Sequence, residues 1–284
     1  MKRSIGAEDM TTEDPREYWD KKAATFASKE RRQKSGRFRA LYEESCWRYI
    51  EPVLPPIKSS LILEAGCGTG RWVYRLAPMG YQVVLSDLST EMIKHAAEMV
   101  KKQDMSDQVA AYHALDICDM HVLSDESFDL VLALGVPLTL CSDPRRAVEE
   151  FYRVTKPGGH VVCDASNRFR TALDLAREND LTQFARVLDT GRITRQTGLT
   201  QHQFMPQELA SLFQAKGMEI INLVAVCPFF EFPATEEHVR ILDDEETFKT
   251  VQDVFRRYSE DPNVIALSSR LLIVARKKRN SSAT

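Results

Sequence analysis

The 284-residue chain has no run of 18 apolar residues, so no membrane span is expected. Its opening residues, MKRSIGAEDMTTEDP, are polar and acidic and lack the apolar stretch of a secretory signal. The six cysteines form no C-x-x-C pair, and several sit in apolar stretches where cysteine serves as a small hydrophobe. A reduced, cytoplasmic setting is the expectation. Asn280-Ser281-Ser282 matches a glycosylation triplet, which means nothing without export. No repeat of solenoid period is present, and the six histidines show no metal-ligand spacing. Excess positive charge is also missing. A net charge of -3 and a pI near 6.1 argue against a chain wrapped in nucleic acid.

What is present fits a folded globular protein. With 43% hydrophobic and 28% charged residues, disorder, collagen and coiled coil are excluded, and the length suits one large α/β domain with insertions. Residues 14–51 read as helical and aromatic until Pro52, Pro55 and Pro56 break the pattern. From there short apolar runs alternate with amphipathic helices. Strands are expected at 61–63, 81–86, 109–113, 128–133 and 160–164, which predicts a mostly parallel sheet with helices on both faces. Asp143-Pro144 reads as a helix N-cap followed by proline at the first helical position. Two more strands are expected at 219–226 and 265–274. Insertions at 165–205 and 228–263, the second with a helix near 245–258, should rise as caps from one end of the sheet.

The chemistry is concentrated in Leu61-Ile62-Leu63-Glu64-Ala65-Gly66-Cys67-Gly68-Thr69-Gly70, a strand running through a glycine turn into a helix. Glycine admits a positive φ and close ligand approach, and the helix start offers free N–H groups. A dinucleotide turn would place glycine at position 71, which is Arg71, and the Gly-Lys-Ser/Thr of a P-loop is absent. An acid at Glu64 suits a ligand bearing an amine and a sulfonium better than a pyrophosphate. Asp87 ends the second strand, where a carboxylate can accept from both ribose hydroxyls. Asp116-Ile117 offers an acid and an apolar residue to an adenine.

At these residues the chain resembles the class I S-adenosylmethionine-dependent methyltransferases. Glu64–Gly70 matches the E/D-x-G-x-G-x-G motif, Asp87 the acid ending the second strand, and Asp116-Ile117 the adenine pair. Phe128-Asp129-Leu130-Val131 matches the fourth-strand motif and Lys156-Pro157-Gly158-Gly159 the turn before the fifth. The resemblance covers about residues 15–276. It implies a Rossmann-like seven-stranded sheet closed by an antiparallel hairpin, and a methyltransferase domain at 57–276 behind an N-terminal helical lid at 1–56. A basic polar tail at 277–284 follows. It further implies S-adenosyl-L-methionine as cofactor. Gly66, Gly68 and Gly70 would lie along the methionine moiety, Glu64 on its amino group and Asp87 on the ribose. Leu88 and Met92 would border the adenine, Asp116 its amino group and Ile117 its face, with Leu134 on the methyl side.

The acceptor side is less defined. Gly135-Val136-Pro137-Leu138 is apolar and lacks the Asn/Asp-Pro-Pro-Tyr/Phe signature of amide and exocyclic-amine methylating members. His202, just before a helix at the ligand end of the sheet, is the candidate general base, with a structural histidine as the alternative. Lys29, Arg31, Arg32, Lys34, Arg37 and Arg39 form a basic cluster that would serve RNA, or through Arg37 or Arg39 clamp a carboxylate. The insertions favour a small-molecule acceptor enclosed by them. An RNA or protein acceptor is the alternative, and a nicotinamide oxidoreductase is disfavoured by the turn spacing.

Overall fold

The computed structural model describes residues 14–32, 36–57, 60–194, 198–230 and 240–279. Residues 1–13 and 280–284, residues 231–239 of the second insertion with His238, and the side chains of Lys29, Arg31, Arg32 and Lys34 lie outside the described residues.

The core is one seven-stranded sheet of β1 (Leu61–Ala65), β2 (Gln82–Asp87), β3 (Val109–Ala114), β4 (Phe128–Ala133), β5 (Thr155–Ser166), β8 (Met218–Val226) and β9 (Arg270–Lys277). Its order is β3-β2-β1-β4-β5-β9-β8. The first five strands run parallel, and β9 lies antiparallel to both β5 and β8. The order reverses between β1 and β4, the place where such sheets open a crevice at their carboxyl ends. Leu63, Leu85, Leu130, Leu132 and Val162 are fully buried, which explains why these strands are short, unbroken apolar runs. Two motifs read separately in the sequence meet here. Lys156 Nζ lies 2.7 Å from Asp129 Oδ2, which also accepts the Leu61 N–H, so the fourth-strand motif and the turn before β5 brace the start of β1.

Helices cover both faces. α3 (Val73–Leu76), α4 (Thr90–Lys102), α5 (Pro137–Leu140), α6 (Pro144–Val154) and α9 (Pro206–Gln214) lie along the chain between strands. Ser89 caps α4 by accepting the Met92 N–H, and Asp143 caps α6 through Arg145 and Arg146. The N-terminal region forms two helices rather than one, α1 (Pro15–Arg32) and α2 (Gly36–Ile50). α2 buries Leu41, Tyr42, Cys46, Trp47 and Ile50 against the sheet, and α1 lies on α4.

The first insertion holds α7 (Arg168–Arg177), α8 (Leu181–Thr190) and a two-stranded ribbon, β6 (Arg192–Thr194) with β7 (Thr200–His202). It carries a small core of its own around Ala172, Leu175, Val187 and Ile193. In the second insertion α10 (Glu245–Tyr258) packs on α2. The expected seventh strand begins late. Asp261 caps the Asn263 N–H and Pro262 takes the first helical position, so residues 262–267 form a helix, α11 (Pro262–Leu267), and β9 starts only at Arg270. No helix among the described residues is long and apolar enough to cross a membrane.

Candidate active site

A cleft of about 870 Å³, measured to its open mouth, lies at the carboxyl ends of β1, β2 and β4. That is a size typical of sites for cofactor-sized ligands. Its floor is the turn after β1. Cys67 N–H donates to the Ser86 carbonyl at 2.8 Å and Gly70 N–H to the Cys67 carbonyl at 2.9 Å, which curls the chain back over the strand ends. Gly66 has φ +70, and a Cβ there would sit 2.8 Å from Pro137 Cβ, so only glycine lets the turn approach the loop after β4.

Asp87 shapes the next wall. Its Oδ2 accepts the Gly68 N–H at 2.8 Å and its Oδ1 the Ser89 N–H at 2.9 Å. Each oxygen keeps a second lone pair for a ligand hydroxyl. Burial raises the Asp87 pKa, while the two backbone donors pull it back. Asp116 Oδ1 accepts the Cys118 N–H at 2.8 Å, which fixes the turn carrying Ile117. Gly66, Gly68, Asp87, Leu88, Met92, Asp116, Ile117 and Leu134 all line the cleft.

Two residues expected there are not on its wall. Glu64 is buried, and its carboxylate turns under the helix start to accept the Trp72 N–H at 3.1 Å and the Val73 N–H at 3.2 Å. Burial pushes its pKa up to about 7 against those donors. It caps the helix from beneath the turn. Gly70 has φ +80 and faces Val73, Leu85 and Ala96, so it serves the packing of the turn onto β2 and α4. His202 is also elsewhere. It ends β7 and lines a neighbouring groove with Arg192 and Asp143 that shares no residue with the cleft. Burial and Arg192 lower its pKa, so its ring is neutral near pH 7. Neither insertion contributes a residue to the cleft wall among the described residues.

The roof comes instead from α1, which places Trp19 over the cleft. The sequence reading missed this residue, along with Arg71, Leu140 and Cys141 on the walls. It also missed a buried hub behind the loop after β4. Asp164, at the end of β5, accepts Gly135 N–H at 2.8 Å and Val136 N–H at 2.6 Å on Oδ1. Tyr42 Oη at 2.9 Å and Arg270 Nη1 at 3.2 Å donate to Oδ2. The hub holds Val136 at φ +64, a strained conformation for a β-branched residue, and so fixes Pro137 against Gly66. Arg71 and Arg270 each lie over the Tyr42 ring, at 5.4 and 5.2 Å. Arg37 and Arg39 are engaged elsewhere. They pair with Glu245 at 2.8 Å and Glu43 at 2.5 Å, which removes them as a carboxylate clamp in this arrangement.

The donor set fits an adenosyl ligand. Bare glycine backbone lies beside a buried carboxylate at the end of β2, and an acid with an apolar neighbour follows β3. The chain is similar to known methyltransferases in sequence and fold. Residues 63–163 match a family model described as a methyltransferase domain. Over 82% of its length the chain is 24% identical to the tRNA 5-carboxymethoxyuridine methyltransferase of Escherichia coli K12, covering 87% of that protein. It is 29% identical to the demethylmenaquinone methyltransferase of Lactiplantibacillus plantarum across 62% of this chain and 76% of that one. A solved S-adenosylmethionine-dependent methyltransferase from Methanosarcina mazei shares the fold, with a TM-score of 0.59 and 21% identity over 82% of this chain and 98% of that one. The chain thus carries a methyltransferase domain at residues 63–163, on the fold of solved S-adenosylmethionine-dependent methyltransferases.

Proposed function

We propose that the enzyme methylates a small-molecule acceptor admitted between the Trp19 roof and the loop after β4. The apolar acceptor wall carries this reading. Leu134, Pro137 and Leu140 line it, and α1 roofs it, leaving a slot that excludes water around the reacting atoms. Bound S-adenosyl-L-methionine supplies a methyl group already activated on a sulfonium. In this reading Asp87 accepts from the ribose hydroxyls, and Asp116 and Ile117 hold the adenine with Leu88 and Met92. Gly66 and Gly68 present their backbone to the methionine moiety. Arg71, on the wall beside the glycine turn, suits the methionine carboxylate.

The chain's contribution to the transfer is alignment. The Asp164 hub holds the loop that faces the methyl group, and no histidine lines the cleft among the described residues. An acceptor that is nucleophilic without a protein base suits this wall. His202, as a base, would have to act from the adjoining groove.

A second reading, an RNA acceptor, draws support from the likeness to the tRNA methyltransferase along most of the chain. Radiolabelled methyl from S-adenosylmethionine, offered with metabolite, tRNA and protein fractions of a cell extract, separates the two. Label in the solvent-extractable metabolites supports the small-molecule reading. Label confined to tRNA or protein contradicts it.

A further inference from the structure

Two cysteines meet at the edge of the cofactor cleft. Cys118 follows Ile117 in the turn after β3, and Cys141 follows α5 on the opposite side of the wall. Both are free thiols, and the Cys118 side chain reaches the two residues that follow Cys141 in the chain. Neighbouring atoms fix the same juxtaposition. Cys118 Sγ lies 3.6 Å from Ser142 Oγ and 3.3 Å from the Asp143 carbonyl, just past Cys141 in the chain. The Cys141 thiol itself donates to the Leu138 carbonyl at 3.3 Å. Cys141 lines the cleft, half-buried, whereas Cys118 is buried behind it.

We propose that Cys118 and Cys141 form a reversible disulfide under peroxide, and that this modification closes the cofactor cleft. It rests on the cleft being the S-adenosylmethionine site. The chemistry is balanced by the oxidant. The Cys118 thiolate attacks one peroxide oxygen, an S–O bond forms, the O–O bond breaks, and the leaving hydroxide takes up a proton to become water. The Cys141 sulfur then attacks the sulfenic sulfur, the S–S bond forms, the S–O bond breaks, and a second water leaves with the Cys141 proton. Two thiols are oxidised by two electrons and one hydrogen peroxide becomes two waters.

The local environment favours that order of attack. The neighbouring Cys141, the Asp143 backbone and the Ser142 hydroxyl lower the Cys118 pKa, while Cys118 and burial raise that of Cys141. The other four cysteines, Cys46, Cys67, Cys163 and Cys227, are buried, and burial raises each of them. Cys67 lines the cleft but, unlike Cys118, is held as the thiol by burial and by the nearby Asp87 and Glu64.

The structural consequence follows from what each cysteine holds. Cys118 N–H orients Asp116, so drawing the sulfurs to a bond length of about 2.05 Å pulls the Asp116-Ile117 turn toward the end of α5. The slot between Ile117 and Leu140 narrows. A ligand filling that slot covers Cys141 and opposes the bond, and by linkage the bond opposes the ligand to the same degree.

The test treats ligand-free protein with hydrogen peroxide, counts its six thiols under denaturing conditions, maps the cross-linked peptides and titrates S-adenosylhomocysteine before and after. The expected result is loss of two thiols in a Cys118–Cys141 cross-link, protection by saturating S-adenosylhomocysteine, and binding weakened about tenfold until dithiothreitol restores it. Cys118→Ser should bind equally before and after peroxide. Survival of all six thiols, a cross-link between other cysteines, or oxidised protein that binds as the reduced form does would overturn the inference. The untreated protein checks the site itself: if it fails to bind S-adenosylhomocysteine, the cofactor assignment falls first.

Discussion

Asp20 on α1 and Ser89 at the start of α4 are joined by a 2.5 Å hydrogen bond, and the same Asp20 oxygen accepts the Glu91 N–H at 3.1 Å. A carboxylate from one helix thus caps the next, where the free N–H groups and positive dipole end favour it. The Ser89 bond lowers the Asp20 pKa. Because Trp19 precedes Asp20, this bond ties the part of α1 that lines the cleft to the start of α4.

Asp20→Ala should therefore loosen the roof without unfolding the sheet. Asp20 is partly exposed, so the expected loss is roughly 1 kcal/mol, seen as an approximately fivefold weaker affinity for S-adenosylhomocysteine. Thermal unfolding should move little. An unchanged affinity would remove α1 from the site.

Asp87→Ala tests the ribose contact. It leaves the Gly68 and Ser89 N–H groups and a ligand hydroxyl without their acceptor, so binding should weaken by about 1–3 kcal/mol. Calorimetric titration reads this directly. Affinity equal to that of the unsubstituted enzyme would refute the placement of the nucleoside.

Legibility in the sequence followed the range of the interaction. The glycine turn, Asp87 and Asp116-Ile117 are local patterns, and the structure brings them into one cleft. Asp143-Pro144 was readable as a helix start, yet the same signal at Asp261-Pro262 was masked by the apolar run Ile265-Ala266-Leu267, which resembles a strand. Glu64 precedes the glycines, a place that suggests a ligand contact, but the helix start beneath the turn has the more immediate need for an acceptor. His202 stood at the right end of the sheet by chain order, and its pairing opposite Arg192 carries it into another groove. The Tyr42–Asp164 bond spans 122 residues, and no local pattern announces it.

Asp164→Asn should be costly. The buried carboxylate serves two loop N–H groups, Tyr42 and Arg270, and a carboxamide offers one acceptor oxygen and no charge. Breaking such a buried set should destabilise the fold by about 3 kcal/mol in denaturant titration. A loss below about 1 kcal/mol would mean that water replaces these bonds freely.

Glu64 predicts a pH dependence of stability. Its folded pKa of about 7 exceeds the ordinary 4.5, so between those values the folded protein holds a proton that the unfolded chain has lost. Stability from this group is then present below pH 4.5, falls as pH rises towards 7, and is level above. The gap corresponds to roughly 3 kcal/mol. Glu64→Gln should flatten that part of the profile in urea titrations at pH 5, 6 and about 7. A parallel profile in both proteins would show that the carboxyl stays ionised.

Calorimetric titration of the purified enzyme with S-adenosylhomocysteine, with NADH as control, bears most directly on the cleft assignment. The account predicts micromolar binding of S-adenosylhomocysteine, weakened by Asp87→Ala, and no binding of NADH. Binding of NADH alone, or S-adenosylhomocysteine affinity indifferent to Asp87, would contradict it.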